Sequence, residues 1–171
     1  MIKLIRTLSI LSLFILILPF LQTCSNKDLK NPQYVGYENK TIGTGFDKSK
    51  SEILKQESTL NGYEFVYSIF KSNGAILPVY LIVISVFLTV LFSFICIMFY
   101  EKKLLFFLNL INLLFFFSSL YYFWKYSILK ECSQIKIGTY LYLLNTFIIN
   151  ILLGKSLFFK ESKNNIQLRE E

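Results

Sequence analysis

Two long apolar stretches set the pattern of this chain: Pro78 to Tyr100 and Leu104 to Trp124, with only Glu101-Lys102-Lys103 between them. Neither contains Asp, Glu, Lys or Arg, and at 1.5 Å per residue each makes a helix of about 30 Å, the thickness of a bilayer core. They predict a membrane hairpin. A third stretch, Ile137 to Leu153, predicts another spanning helix, with Gly154 closing its apolar core. Beyond it, Lys155 to Glu171 is polar and mixed in charge, and predicts an interfacial turn through Leu157-Phe158-Phe159 followed by a frayed end.

The N-terminus supports two readings. Lys3 and Arg6 precede an apolar run from Leu8 to Leu18, then Pro19 and a polar segment to Cys24, which is the layout of a signal peptide. Cys24 would then be a lipidation site, although Gln22 and Thr23 stand where lipoprotein processing takes small residues. As an uncleaved helix, Ile2 to Leu21 is long enough to span, with Lys3 and Arg6 snorkelling to the cytoplasmic interface. The uncleaved helix is preferred, because it completes an even-numbered bundle. The expected fold is therefore an all-α membrane protein: a four transmembrane helix bundle with an extracytoplasmic loop of about 50 residues between helices 1 and 2. Its segments are 1–23 (first helix or signal peptide), 24–74 (outer loop), 75–154 (three transmembrane helices) and 155–171 (cytoplasmic tail).

The polar interval from Ser25 to Gly74 has seven Lys, six acids and five of the seven glycines in the chain, so it folds outside lipid if it folds at all. Tyr34 to Tyr37 and Thr41 to Phe46 have the aromatic and β-branched content of a short β-hairpin. Ser49 and Glu52 suit a capping box that opens a short helix through Gln56. In Asn61 to Phe70, residues Phe65, Val66, Ile69 and Phe70 share one helical face, which predicts an amphipathic helix resting on lipid or on the bundle; a strand with Tyr63, Phe65, Tyr67 and Ile69 on one side is the alternative.

Polar residues inside the apolar runs recur at helical spacing. Ser85, Thr89, Ser93 and Cys96 form one stripe, and Asn109, Asn112 and Ser119 form another. On the last helix Thr139, Thr146 and Asn150 share a face, with Asn145 beside it, and are expected to meet the Asn109/Asn112 side of the preceding helix. Small residues let helices approach closely, and side-chain amides in lipid need partners, so Ser85, Thr89, Ser93, Asn109, Asn112, Asn145, Thr146 and Asn150 are the candidate helix-packing positions. Tyr121, Tyr122, Trp124 and Tyr126 form an aromatic cluster suited to a headgroup interface.

Composition narrows the chemistry. There is no histidine, which removes imidazole acid–base catalysis, His-activated nucleophiles and imidazole metal ligation. No acid lies inside the last three apolar runs, and the loop carboxylates, such as Asp47 and Glu64, are not paired. No catalytic residue, metal site or cofactor is expected. The net charge of +7 comes from 18 basic residues, 16 of them Lys, spread over every connection and interleaved with 11 acids, so no nucleic-acid surface is expected. The expected partners are the lipid bilayer, further copies of the chain and other membrane proteins.

With Lys3 and Arg6 inside, four crossings put both termini in the cytoplasm. Basic residues near helix ends agree, with Lys3, Arg6, Lys102, Lys103, Lys155, Lys160, Lys163 and Arg169 inside against Lys27, Lys30, Lys71, Lys125, Lys130 and Lys136 outside. Cys24 and Cys132 then share the outer side, where disulfides persist, so a bridge between them competes with lipidation of Cys24.

One helix, a long outer loop, a tight helical hairpin and a fourth helix resemble the claudin-like layout. Leu18-Pro19-Phe20 with Cys24, and Asn61-Gly62-Tyr63-Glu64 before the second helix, resemble features of small bacterial tetraspan proteins. The loop has neither Trp nor a cysteine pair of the claudin kind, so the resemblance implies a layout and a bacterial inner membrane but no junction function. The functional expectation is a non-enzymatic structural, assembly or signalling subunit. Alternatives are an oligomeric channel or transporter component, and a lipoprotein anchored at Cys24 with three transmembrane helices.

Overall fold

The computed structural model describes residues 1–25, 53, 55–71 and 77–167, with 68–71 and 158–167 described by their backbone alone. The expected strands at 34–37 and 41–46 and the capping box at Ser49 and Glu52 lie outside the described residues. In chain order the elements are α1 (Ile2–Ile15), β1 (Pro19–Gln22), β2 (Thr59–Asn61), α2 (Gly62–Lys71), α3 (Leu77–Met98), α4 (Lys102–Lys125), a 3-10 turn (Cys132–Gln134) and α5 (Ile137–Gln167).

Three helices are long and apolar enough to cross a membrane: α3, α4 and the Ile137–Leu157 part of α5. The expected fourth is not of that kind. α1 has 14 residues, about 21 Å at 1.5 Å each, and stops at Ile15 rather than Leu21. Proline explains the early stop, since its ring disfavours helical geometry in the residue before it and it has no amide to donate. The chain then turns and enters β1 at Pro19.

Two other boundaries also differ from expectation. Gly154 does not close the last helix, which runs through Leu157-Phe158-Phe159 to Gln167. A helical glycine costs about 1 kcal/mol relative to alanine but ends a helix only where a left-handed turn is needed. The hairpin connection is Phe99–Glu101, because Lys102 and Lys103 already belong to α4. Tyr100 sits in it at φ 43°, a left-handed conformation that L residues seldom adopt.

β1 and β2 pair antiparallel, Pro19 with Asn61 and Gln22 with Thr59, around an irregularity between Pro19 and Leu21. On its other side β1 bridges to Ile135, so it is the middle member of a small platform. The amphipathic helix expected near Asn61–Phe70 is α2. Asn61 Oδ1 accepts from the amides of Tyr63 and Glu64 at 3.0 and 2.9 Å, and Glu64 Oε2 accepts the Asn61 amide at 2.7 Å. This reciprocal cap starts the helix. Phe65 is fully buried with its ring 6.1 Å from that of Phe123, and Val66 packs against the same cluster, so the start of the helix is seated on the bundle.

The core has two layers. At the sheet end, Ile15, Leu16, Phe20, Phe65, Ile82, Phe116, Phe123 and Tyr142 pack together. At the hairpin end, Ile5, Phe92, Cys96, Leu105, Ile149 and Leu153 form a second cluster. α1 touches both, so it passes along the bundle antiparallel to α3 and α5, packed against each.

Candidate functional site

Polar side chains at the centre of α3, α4 and α5 converge on Tyr142. The Thr89 hydroxyl lies 2.6 Å from Tyr142 Oη, Asn112 Nδ2 donates to Tyr142 Oη at 2.8 Å and to Thr89 Oγ1 at 2.9 Å, and Ser85 Oγ donates to Asn112 Oδ1 at 2.5 Å. Thr89 is also bonded to the Ser85 carbonyl at 2.9 Å. All four residues are buried. The amide has both its ends occupied, and each hydroxyl has a neighbour within bonding range, so the network is closed. Its lid is aromatic, with the Phe116 ring 4.8 Å and the Phe20 ring 5.7 Å from that of Tyr142.

The remaining stripe residues go elsewhere. A four-residue step turns a helix about 40° past a full circle, so a stripe at that spacing winds round its helix. Ser85 and Thr89 thus face α4 and α5, whereas Ser93 faces α1 and donates to the Ser9 carbonyl at 2.9 Å. Asn145 also serves α1, donating to Ser12 Oγ at 2.7 Å and to the Leu8 carbonyl at 3.0 Å. Asn109 donates across to the Thr146 carbonyl at 3.0 Å, which is the α4–α5 contact expected from the spacing. Thr146 keeps its own hydroxyl on the Tyr142 carbonyl. Thr139, expected to face α4, instead donates to the Phe20 carbonyl at 2.7 Å. Asn150 has both amide atoms buried without a hydrogen-bond partner.

Tyr142 and Arg6 are the residues that sequence reasoning missed. Tyr142 was legible, because it falls three residues after Thr139 and four before Thr146, on the face already marked as polar. Arg6 was expected to snorkel. It donates to the Cys96 carbonyl at 3.2 Å and lies 6.0 Å from the Tyr100 ring, placing a cation at the C-terminal end of α3.

At the sheet end an open cavity of about 500 Å³ is lined by Ile17, Pro19, Lys55, Gln56, Thr59, Asn61, Glu64 and Lys136. Partial burial, reinforced by the nearby Lys55, pushes the Lys136 ammonium below the usual lysine range. The platform beneath is tightly fitted. A β-carbon on Gly138 would lie 2.6 Å from the Pro19 carbonyl, and one on Gly62 would lie 2.9 Å from the Leu16 side chain. Gln134, fully buried, holds the other side, accepting from the amides of Lys130 and Glu131 and donating to the carbonyls of Gln22 and Ile128. Cys24 is half-buried, Cys132 exposed and Cys96 buried, all as free thiols.

Among the described residues no cluster of three acids or cysteines could hold a metal ion. What the arrangement does well is join helices: the central network and its satellites link α1, α3, α4 and α5. Comparison with protein-family models, with curated proteins and with solved structures finds no match.

Proposed function

We propose that this chain is a multi-pass membrane protein with no enzymatic activity of its own, a structural, assembly or signalling subunit that works through helix–helix and outer-platform contacts. The closed network of Ser85, Thr89, Asn112 and Tyr142 supports this most strongly, since groups whose hydrogen bonds are all made to one another are not available to a substrate or ion. Mild-detergent purification from the native membrane tests it. A reproducible set of membrane proteins, or a defined homo-oligomer, is expected to accompany the chain. Ion flux through liposomes carrying the purified protein would favour the channel reading instead.

The same reading keeps residues 1–23 in the mature protein. α1, the turn after Ile15 and β1 together make the fourth crossing, with both termini in the cytoplasm and the platform outside. Support comes from burial: Ile5, Ser9, Ser12, Leu16 and Phe20 are all covered by the other helices, and cleavage before Cys24 would strip those surfaces bare. Intact mass decides this. A mass that includes residues 1–23 is expected, whereas loss of those 23 residues with added acyl mass would mean a lipoprotein.

A further inference from the structure

We propose that the open cavity at the sheet end binds a phosphate-bearing anion between the ammonium groups of Lys55 and Lys136, and that the headgroup of an anionic phospholipid supplies it. The two lysines lie far apart in sequence, and hydrogen bonds bring each to the cavity wall. The Lys55 carbonyl accepts the Thr59 hydroxyl at 2.7 Å and the Ser58 hydroxyl at 3.1 Å, which ties that turn to the start of β2. The Lys136 amide donates to the Phe20 carbonyl at 2.8 Å, so its backbone is fixed on β1. Its Nζ donates to the Ser133 carbonyl at 2.8 Å, and an ammonium has further N–H donors for a ligand.

Two like charges in one cavity repel unless an anion joins them. Burial, and after it the charge of Lys55, hold the Lys136 ammonium below the usual lysine range, with no acid acting the other way. Glu64, the carboxylate on the same wall, is committed to its helix cap, where Oε2 accepts the Asn61 amide at 2.7 Å. Asn61 spends its Oδ1 in that cap too, which leaves Nδ2 as a donor to the cavity that it lines. A phosphate, with several oxygens, takes such donors together, and lysine binds it as a point charge. The lipid source follows from the apolar side chains at the cavity mouth. Ile17 lines the cavity and is 58% exposed; Phe14, whose carbonyl accepts the Ile17 amide, and Ile137, next to Lys136, are exposed as well. Acyl chains that cover these residues put the headgroup at the level of the two lysines.

The site rests on the retained first segment of the preceding section, because Ile17 and Pro19 form part of its wall. Native mass spectrometry of delipidated protein in mild detergent tests both. The protein is offered phosphatidylglycerol, phosphatidylcholine with the same acyl chains, or glycerol phosphate. Expected is a protein mass that includes residues 1–23, with a phosphatidylglycerol adduct about tenfold tighter than that of phosphatidylcholine. Lys55→Gln, at an exposed position, should weaken the adduct several-fold, Lys55→Gln/Lys136→Gln should weaken it about tenfold, and Lys55→Arg/Lys136→Arg should keep it. Glycerol phosphate that binds as tightly and is lost in the same glutamine variants upholds the anion site and makes a soluble phosphate ester its ligand. Binding that is unchanged in those variants overturns the site. So does an equal loss in Lys102→Gln/Lys103→Gln, at the hairpin end, because net charge would then be the attraction. A mass that includes residues 1–23 with neither ligand bound overturns the site and leaves the retained segment standing. Mass lacking residues 1–23 overturns both.

Discussion

The two ends of the bundle treat polar groups in opposite ways. At the sheet end, amide and hydroxyl groups from α3, α4 and α5 are joined, and large rings pack over them: Phe20, Phe116 and Tyr142 meet at 4.8–5.9 Å. At the hairpin end the packing is mainly aliphatic, and Asn150 keeps an amide buried with nothing to bind, as Ser156 does its hydroxyl. Both ends contain asparagine on the same helix system, yet only one set is satisfied. A polar residue in an apolar helix is therefore not a stabilising feature in itself. Its sign depends on whether partners of matching geometry arrive from other helices.

Substitutions can break this contrast, and the largest effect is expected at the platform. Gly138→Ala forces a methyl group against the Pro19 carbonyl, a backbone atom that cannot swing away. A loss of about 3 kcal/mol is expected from such overpacking, read as unfolding in detergent, and an unchanged midpoint would mean that β1 is not seated on α5. Asn112→Leu comes next. It removes three hydrogen bonds and leaves Ser85, Thr89 and Tyr142 to rearrange, for a loss of about 2 kcal/mol at the modest strength of such bonds between membrane helices.

The same swap at the other end sharpens the comparison, because its sign reverses. Asn150→Leu replaces an unpartnered buried amide with a group of similar size, and a gain of about 1 kcal/mol is expected. Equal losses at 112 and 150 would erase the distinction between the two layers. A smaller effect belongs to the α4 terminus, where Ser127 has φ 57° while the amides of Ser127 and Ile128 bond back to Trp124 and Phe123. That is a Schellman cap with serine in the glycine position, so Ser127→Gly should add up to about 1 kcal/mol.

Alkaline titration gives the slightest signal. Lys136 titrates below its ordinary 10.5, so between that lowered value and 10.5 the unfolded chain holds more protons than the folded one, and stability rises with pH. Lys136→Gln should flatten the rise. Tyr63 acts in the opposite sense above pH 10, since burial lifts its phenol and ionisation then favours the unfolded chain. The difference between the melting curves of the two proteins across the alkaline range isolates the lysine.

Much of this architecture was legible in the residues. Runs without charge marked α3, α4 and α5, and the 3- and 4-residue spacing of Ser85, Thr89, Asn109 and Asn112 marked their packing faces. The shared face of Phe65, Val66, Ile69 and Phe70 marked α2. What escaped was non-local. Leu18 to Gln22 looks like the end of an apolar helix until Pro19 is given its full weight, and even then its strand character depends on partners about 40 and 115 residues away. The burial of Phe65 against the bundle, and the diversion of Thr139 and Asn145 toward the first segment, likewise follow from where α1 and β1 pass rather than from any local pattern.

The middle position of β1 also bears on biosynthesis. The strand is made before the backbone that covers its far edge, at Ile135 and Lys136, which follows only after α3 and α4. Until then the Phe20 carbonyl has neither the Lys136 amide nor the Thr139 hydroxyl to accept from. A chain halted before that backbone is made thus carries an open strand edge, which is a template for pairing with another chain until the last helix arrives.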